Sequence, residues 1–438
     1  MTIPGRYVLV IWTFSLSVLL YVDRICMSTA KSAIATDLGF NDRQMGWVLS
    51  IFALGYALFQ TPGGWLADRF GPRISLSMLV VFWSVFTGLT AVVTNWWNML
   101  FTRFLFGMGE AGAYPGVARV IYSWVPESER GLIQGINFSG SRIGGAFSLL
   151  LLPALIERLG WQASFVTLMG MGFFWAGGWY WWFRNDPATH RSVSDQELAR
   201  ILARRQPATD SGVSSSHETR NHDTTVGVVQ GPQVPVSIGR LASSTNLWLI
   251  SLQYFCSNFT FFFCLTWLFP HLTATYGLKG VQAGLYSATP LVCGAIGNWF
   301  SGWLVDRIHC AGHWNASRRN PAIVGFVLAA AGVLGSVYSA TAFSSIAWFS
   351  LAVFGADMTI SPSWSFCIDI GKNNAGIVSG TMNMAGNLGS FVTALAFPYL
   401  AEWTGSNTPF FFVAAGLNLI AIPIWILVDA RRALQEAL

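Results

Sequence analysis

Apolar residues run in long blocks parted by short polar stretches. Twelve of those blocks approach the roughly 20 residues that a helix needs to cross the hydrocarbon core of a bilayer. Six lie near 8–30, 45–66, 74–94, 97–120, 131–155 and 162–183, and six more near 246–271, 281–304, 321–341, 345–368, 376–400 and 408–429. Between the sets, residues 184–245 are rich in Ser, Thr, Arg and Asp and carry no apolar period, which predicts an unstructured hydrophilic linker. The predicted organisation is therefore a six-helix half over 1–183, the linker, and a second half over 246–438. The fold class is an all-α membrane protein of twelve transmembrane helices in two six-helix halves.

A repeat supports the division. Gly64-Trp65-Leu66-Ala67-Asp68-Arg69 returns as Gly302-Trp303-Leu304-Val305-Asp306-Arg307, each time after the second block of its half. Two related halves around a central cavity form a transporter architecture. Orientation follows the basic residues. With both termini in the cytoplasm, the inner loops, tails and linker hold 17 Lys or Arg, and the outer loops hold only Lys31, Arg43, Arg158 and Lys279.

Composition narrows the class. Only 10% of residues are charged, against about 25% in an ordinary soluble domain. Apolar residues make up 53%, including 21 Trp and 33 Phe, and mean hydropathy is +0.49. These values exclude a soluble enzyme and a disordered chain. A pI near 9.0 suggests nucleic acid only superficially, since the surplus comes from Arg scattered over loops rather than from a basic stripe. The six cysteines form no CxxC pair and mostly sit in apolar runs, so they read as small buried hydrophobes. Asp23-Arg24 interrupts the first apolar run, which reads as a retained span and not a signal peptide. The preference for Arg over Lys and the lack of a targeting segment point to a bacterial cytoplasmic membrane.

A charge at membrane depth is costly unless paired or wetted, so each one is a functional candidate. Ser17, Tyr21, Arg24 and Ser28 follow one face of the first span. A guanidinium on such a cavity-lining face can grip a carboxylate through two parallel hydrogen bonds, which makes Arg24 the candidate substrate ligand. Arg103, Gly107, Glu110 and Tyr114 follow one face of the fourth span. Asp23, turned away from the cavity line, is expected to reach Arg103. Further polar stripes carry Tyr56 and Gln60 in the second span, Asn137, Ser141 and Ser148 in the fifth, and Ser379, Asn383, Asn387 and Ser390 in the eleventh. Hydroxyls and amides suit a polyhydroxylated ligand, and Trp364 offers an aromatic wall. Arg142 reads either as a second anion contact or as a snorkelling side chain. Asp357 reads either as an extra proton site or as a helix–helix hydrogen bond. Asp68 and Arg73, with Asp306 and Arg307 as counterparts, stand at helix ends where charges can bridge the halves in one state and part in the other.

The run Gly64 to Arg73 resembles the loop signature between spans two and three of the major facilitator superfamily. With Tyr21-Val22-Asp23-Arg24, Arg103 to Pro115 and Asn383 to Asn387, the chain is similar to the anion:cation symporter family over nearly its whole length, the linker excepted. The second copy of the loop signature is degraded, Ile308-His309-Cys310 replacing its Gly-x-Arg ending. The resemblance implies the major facilitator fold and proton-coupled movement of sugar acids or other organic carboxylates. It implies that Asp23 and Glu110 form the proton-coupling pair, with Arg103 as their switchable partner, and that Tyr21, Tyr56, Trp364 and Asn387 contact the ligand.

Two other motifs fail on context. Gly107 to Gly112 spells GxGxxG but lies inside a membrane helix without a βαβ unit. His309 and His313 have metal-ligand spacing, but the stretch is a charged loop and lacks the Glu of HExxH. No Walker A sequence occurs, and neither GxSG nor GxGD, so ATP-driven transport and membrane-enzyme chemistry are not expected. No cofactor or metal is expected either. The predicted partners are a small organic anion, protons and the bilayer, without nucleic acid, and the chain is expected to be a monomer. The expected function is proton-coupled uptake of an organic anion, a hexonate, hexuronate or aldarate. The alternatives are an exporter of such an anion and uptake of a non-sugar carboxylate such as tartrate or phthalate.

Overall fold

The computed structural model describes residues 4–202, 238–278 and 280–429, and these fold as helices joined by short turns with no strand among them. Lys279, Arg204, Arg205, Arg220, Arg431 and Arg432, counted above for orientation, lie outside the described residues, as does the linker stretch 203–237.

The first half contains Gly5–Thr29, a second span bent by 47° between 43–58 and 60–70, Pro72–Thr90, a fourth span in two pieces (Trp96–Glu110 and Ala113–Trp124), and Arg130–Trp182. This last run carries the fifth and sixth spans. Gly160 turns the chain between them at φ 80°, a left-handed conformation open to glycine and strained for other residues. The second half contains Thr245–Thr266 with Leu268–Tyr276, Gly280–Cys310, Trp314–Val337, a tenth span in two pieces (Ala342–Met358 and Ile360–Gly371), Ala375–Thr404 and Thr408–Leu427. The apolar spans match ten of the twelve expected when the long run 342–404 is taken as the tenth and eleventh and the bent run 127–182 as the fifth and sixth. The other two are the fourth, which carries Arg103, Glu110 and Arg119, and the eighth.

Trp97 and Trp403 are exposed at one end of the bundle and Trp181 and Trp248 at the other, the placement that aromatic rings take at the two membrane interfaces. The end bearing the linker is called the linker face below.

The linker departs from expectation. Asp195–Leu202 is a helix whose Glu197 accepts hydrogen bonds from the backbone N–H groups of Gly5 and Arg6, both at 3.1 Å. Ser194 Oγ accepts from the N–H of Glu197 at 3.2 Å. Ser-Asp-Gln-Glu at 194–197 has the pattern of a capping box, and Ile201 is buried against the bundle. A second short helix, Ile238–Ser243, precedes the seventh span.

The halves meet along two seams, the second span on the eleventh and the fifth on the eighth. Small residues let the backbones touch. A Cβ on Gly64 would lie 2.1 Å from the Gly376 carbonyl oxygen, and one on Gly302 would lie 2.5 Å from that of Gly131.

Candidate functional site

Two of the interrupted spans, the fourth and the tenth, break beside an acid at mid-depth. Trp96–Glu110 ends on Glu110 itself, where Gly112 and Gly63 approach too closely for a side chain on either. Ala342–Met358 ends one residue after Asp357. Each carboxylate therefore stands at the negative end of a helix dipole, and each is held by an arginine.

Arg24 donates from Nε to Glu110 Oε2 at 2.6 Å. Its guanidinium lies 4.3 Å from the Tyr56 ring centroid and 5.3 Å from those of Tyr21 and Phe52, a cation–π cage. Glu110 is fully buried, and both Oε1 and Arg24 Nη2 lack a partner. Buried polar atoms are rarely left unpaired, so this pair has hydrogen-bonding capacity to spare for a ligand.

Asp23 takes a different first partner from the one expected. The indole N–H of Trp83, in the third span, donates to its Oδ2 at 3.1 Å, and Oδ1 is unpartnered. Arg103 lies over the Phe106 ring at 4.2 Å with Nε and Nη1 unpartnered, close enough to interact electrostatically with Asp23 and Glu110. Trp83 reaches Asp23 from the third span, 60 positions along the chain, and no sequence spacing announces that.

The remaining predicted contacts divide. Tyr21 and Tyr56 do frame Arg24. Trp364 donates to the Tyr254 hydroxyl at 3.0 Å and packs edge-on against Tyr114, its ring 6.1 Å away. Asn387 donates to the Asn383 carbonyl at 2.8 Å. The Ser141 hydroxyl turns back onto its own helix, donating to Phe138 O at 2.6 Å. Asn137 is fully buried with both side-chain polar atoms unpartnered.

Arg142 and Asp357 find each other. Nε and Nη2 of Arg142 donate to Oδ2 and Oδ1 of Asp357 at 3.0 and 2.8 Å, and Asn298 Nδ2 adds a third bond at 3.2 Å. The pair crosses from the fifth span to the tenth and thus joins the halves.

At the linker face, Asp68 accepts from the N–H groups of Gly376 and Ile377 at 2.9 and 2.7 Å. Asp306 accepts from those of Gly131 and Leu132, both at 2.8 Å. Each acid caps the N-terminus of a helix in the other half. Arg130, in the first half, joins Arg318 in gripping Asp369 of the second half, at 2.7 and 3.0 Å. Sequence reasoning did not single out Asp369. Between this face and mid-depth, Asn383 donates to Gln60. Arg73 stands apart from the contact between the halves. Its N–H donates to Asn185 Oδ1 at 3.0 Å, at the start of the linker, and its Nε donates to the Tyr180 carbonyl at 2.9 Å in the first half.

The profile of the Major Facilitator Superfamily matches residues 13–394. A probable sulfoacetate transporter of Cupriavidus necator is 30% identical over 92% of this chain and 89% of its own. A D-galactonate transporter of Escherichia coli is 29% identical over 98% of this chain and 97% of its own. In fold, the chain is similar to the proton:xylose symporter XylE, with a TM-score of 0.72 and 16% identity over 98% of this chain and 97% of that one. A membrane-spanning chain with this profile across its length is a transporter of small molecules and not an enzyme, and it belongs to the Major Facilitator Superfamily, among the anion symporters its motifs resemble.

Proposed function

We propose that the chain is a monomeric proton-coupled symporter that imports an organic anion, a sugar acid such as a hexonate, hexuronate or aldarate, across a bacterial cytoplasmic membrane. The linker face is then the cytoplasmic one, and the contacts of Asp68 and Asp306 close it, so the site is reached from outside. The observation that carries the reading is the Arg24–Glu110 hydrogen bond with its unpartnered neighbours.

The cycle follows from competition for Arg24. A substrate carboxylate offers the guanidinium two parallel hydrogen bonds where Glu110 offers one. Displaced from its cation while buried, Glu110 takes a proton from the outer side, because an unpaired buried carboxylate is costly. Substrate and proton enter together, the site stays neutral, and the halves are free to rock. On the inner side substrate leaves, Glu110 releases its proton, and Arg24 recaptures it. Asp23, with Arg103 in electrostatic reach, is the second member of the proton-coupling pair. The polar residues Asn137, Asn383 and Asn387 supply partners for sugar hydroxyls. Sulfoacetate, named for one relative, is a non-sugar acid and supports a second reading in which the substrate lacks hydroxyls.

The test is an internal pH dye in proteoliposomes while galactonate, glucuronate, glucarate, tartrate, phthalate and a neutral hexose are added outside. Acidification with acids and not with hexose is the expected result. Silence for every acid in a preparation shown to bind one of them would overturn proton symport.

A further inference from the structure

We propose that the transported anion carries two acidic groups, the first held by Arg24 and the second by Arg142 in place of Asp357. This rests on the symport reading above and names the substrate class for the same chamber.

Three observations carry it. First, the arrangement is doubled: each half has one broken span with an acid at its break, and each acid is gripped by an arginine from another helix. Discontinuous helices at corresponding positions of two halves are the usual makings of a transporter binding site. Second, both arginines stand beside Tyr21: the Arg24 guanidinium lies 5.3 Å from its ring centroid, and one turn along the helix from Arg142 a Cβ on Gly145 would lie 3.6 Å from the same ring, with Arg142 in electrostatic reach of it. Third, the Arg142–Asp357 pair is 8% and 1% exposed and lies across the seam between halves that must move apart. A buried ion pair stabilises a fold little, because desolvation offsets its attraction. A pair at this depth that crosses a moving boundary is better suited to exchange than to permanent support.

The exchange balances in charge. Arg24 with Glu110 and Arg142 with Asp357 are each neutral. When the second acidic group of the substrate takes the two-pronged face of Arg142, Asp357 is released with Asn298 as its remaining hydrogen-bond donor. It then accepts one proton from the outer side. A diacid is accompanied by two protons, one on Glu110 and one on Asp357, and the loaded chamber stays neutral. The other titratable side chains around the pair are Tyr21, Tyr114, Tyr254 and Cys264.

The experiment compares acids differing at one end: galactarate with galactonate, tartrate with threonate, and sulfoacetate with glycolate. Affinity is measured by calorimetry on the full-length protein in detergent or nanodiscs. The wild type is expected to bind a diacid at least tenfold more tightly than its monoacid partner. Because Arg142→Gln alone leaves Asp357 buried and unpaired, the variant used is R142Q/D357N, which is neutral throughout. It is expected to weaken the diacid at least tenfold more than the monoacid, whereas Arg24→Ala weakens both. In Asp357→Asn, the proton:diacid ratio from reversal potentials is expected to fall from two to one. Equal losses for both acids in R142Q/D357N, tighter wild-type binding of monoacids, or an unchanged ratio would each overturn the proposal while leaving symport at Arg24 intact. Absence of binding for every acid would overturn both readings.

Discussion

Arg24 and Glu110 lie 86 positions apart in the chain and meet through one 2.6 Å hydrogen bond at the break of the fourth span. The bond leaves a nitrogen on one partner and an oxygen on the other with nothing to bind. The arginine proposed to hold substrate is thus bonded to the acid proposed to carry the proton.

Separate substitutions distinguish the two roles. Arg24→Ala removes two charge-assisted hydrogen bonds to the substrate carboxylate, about 1.5–3 kcal/mol each, so Kd rises roughly 100-fold or more. Glu110→Gln keeps a neutral side chain of the same shape and is expected to allow exchange of labelled substrate without accumulation driven by a proton gradient. Accumulation equal to wild type in Glu110→Gln would remove Glu110 from coupling.

The helix caps at the linker face define a second test. Asp68→Ala and Asp306→Ala each remove the cap of a helix in the opposite half, at a cost of about 0.5–2 kcal/mol to the closed face. Cysteines placed on the inner stretch of the cavity should label roughly 2- to 30-fold faster from that side, and the double variant faster still. Unchanged labelling would show that these bonds do not hold the face shut.

Glycine contact at the same seams is less forgiving. In Gly64→Ala or Gly302→Ala, the new methyl would sit 2.1 or 2.5 Å from a backbone carbonyl oxygen of the other half. The expected outcome is loss of uptake with helix content and detergent stability near wild type, since the clash lies between the halves and not within them. Uptake near wild type would mean that the face can close without this approach.

The docked linker should respond to pH. His190 sits on Trp124 and Trp182 with Nε2 3.0 Å from the Trp182 carbonyl, and Nδ1 accepts from the Ser192 N–H at 3.2 Å. Burial holds its pKa below the ordinary histidine value. A histidine whose pKa is lowered on docking stabilises the docked state above its free pKa and loses that contribution as pH falls. Amide exchange in 186–202 is therefore expected to quicken below about pH 6.5, and His190→Gln should flatten the response. Glu197→Gln weakens the cap on Gly5 and Arg6 and should quicken exchange at every pH.

The sequence reveals some of this arrangement more readily than the rest. Spans, halves and the loop repeat follow from hydropathy and from one recurring hexapeptide, because lipid imposes those patterns locally. The polar line through Tyr21 and Arg24 is readable because a single helix sets its own period. Partners across helices are not: Asp23 is hydrogen-bonded by Trp83 with Arg103 in electrostatic reach, and the pairing of Arg142 with Asp357, 215 positions apart, follows only from the packing of the helices. Arg73 shares a signature with Asp68, yet its hydrogen-bond partners lie in its own half and at the start of the linker, not across the seam. The linker helix carries a local signal in Ser194 and Glu197, but the polar composition around it gives no apolar period to mark it.

The reciprocal caps at the linker face have a consequence for how such a chain arises. Asp68 binds the start of the eleventh span, and Asp306 binds the start of the fifth, its counterpart. A contact in which each side offers the other the same group is isologous, the kind formed by two identical subunits about a twofold axis. A single six-helix unit carrying one such aspartate and one such helix start would already make both bonds by pairing with its own copy. The closing mechanism therefore needs no asymmetry between the halves, and fusion of two copies into one chain would inherit it intact. Divergence could then be confined to the chamber, where one broken span pairs with an arginine of its own half and the other with an arginine across the seam.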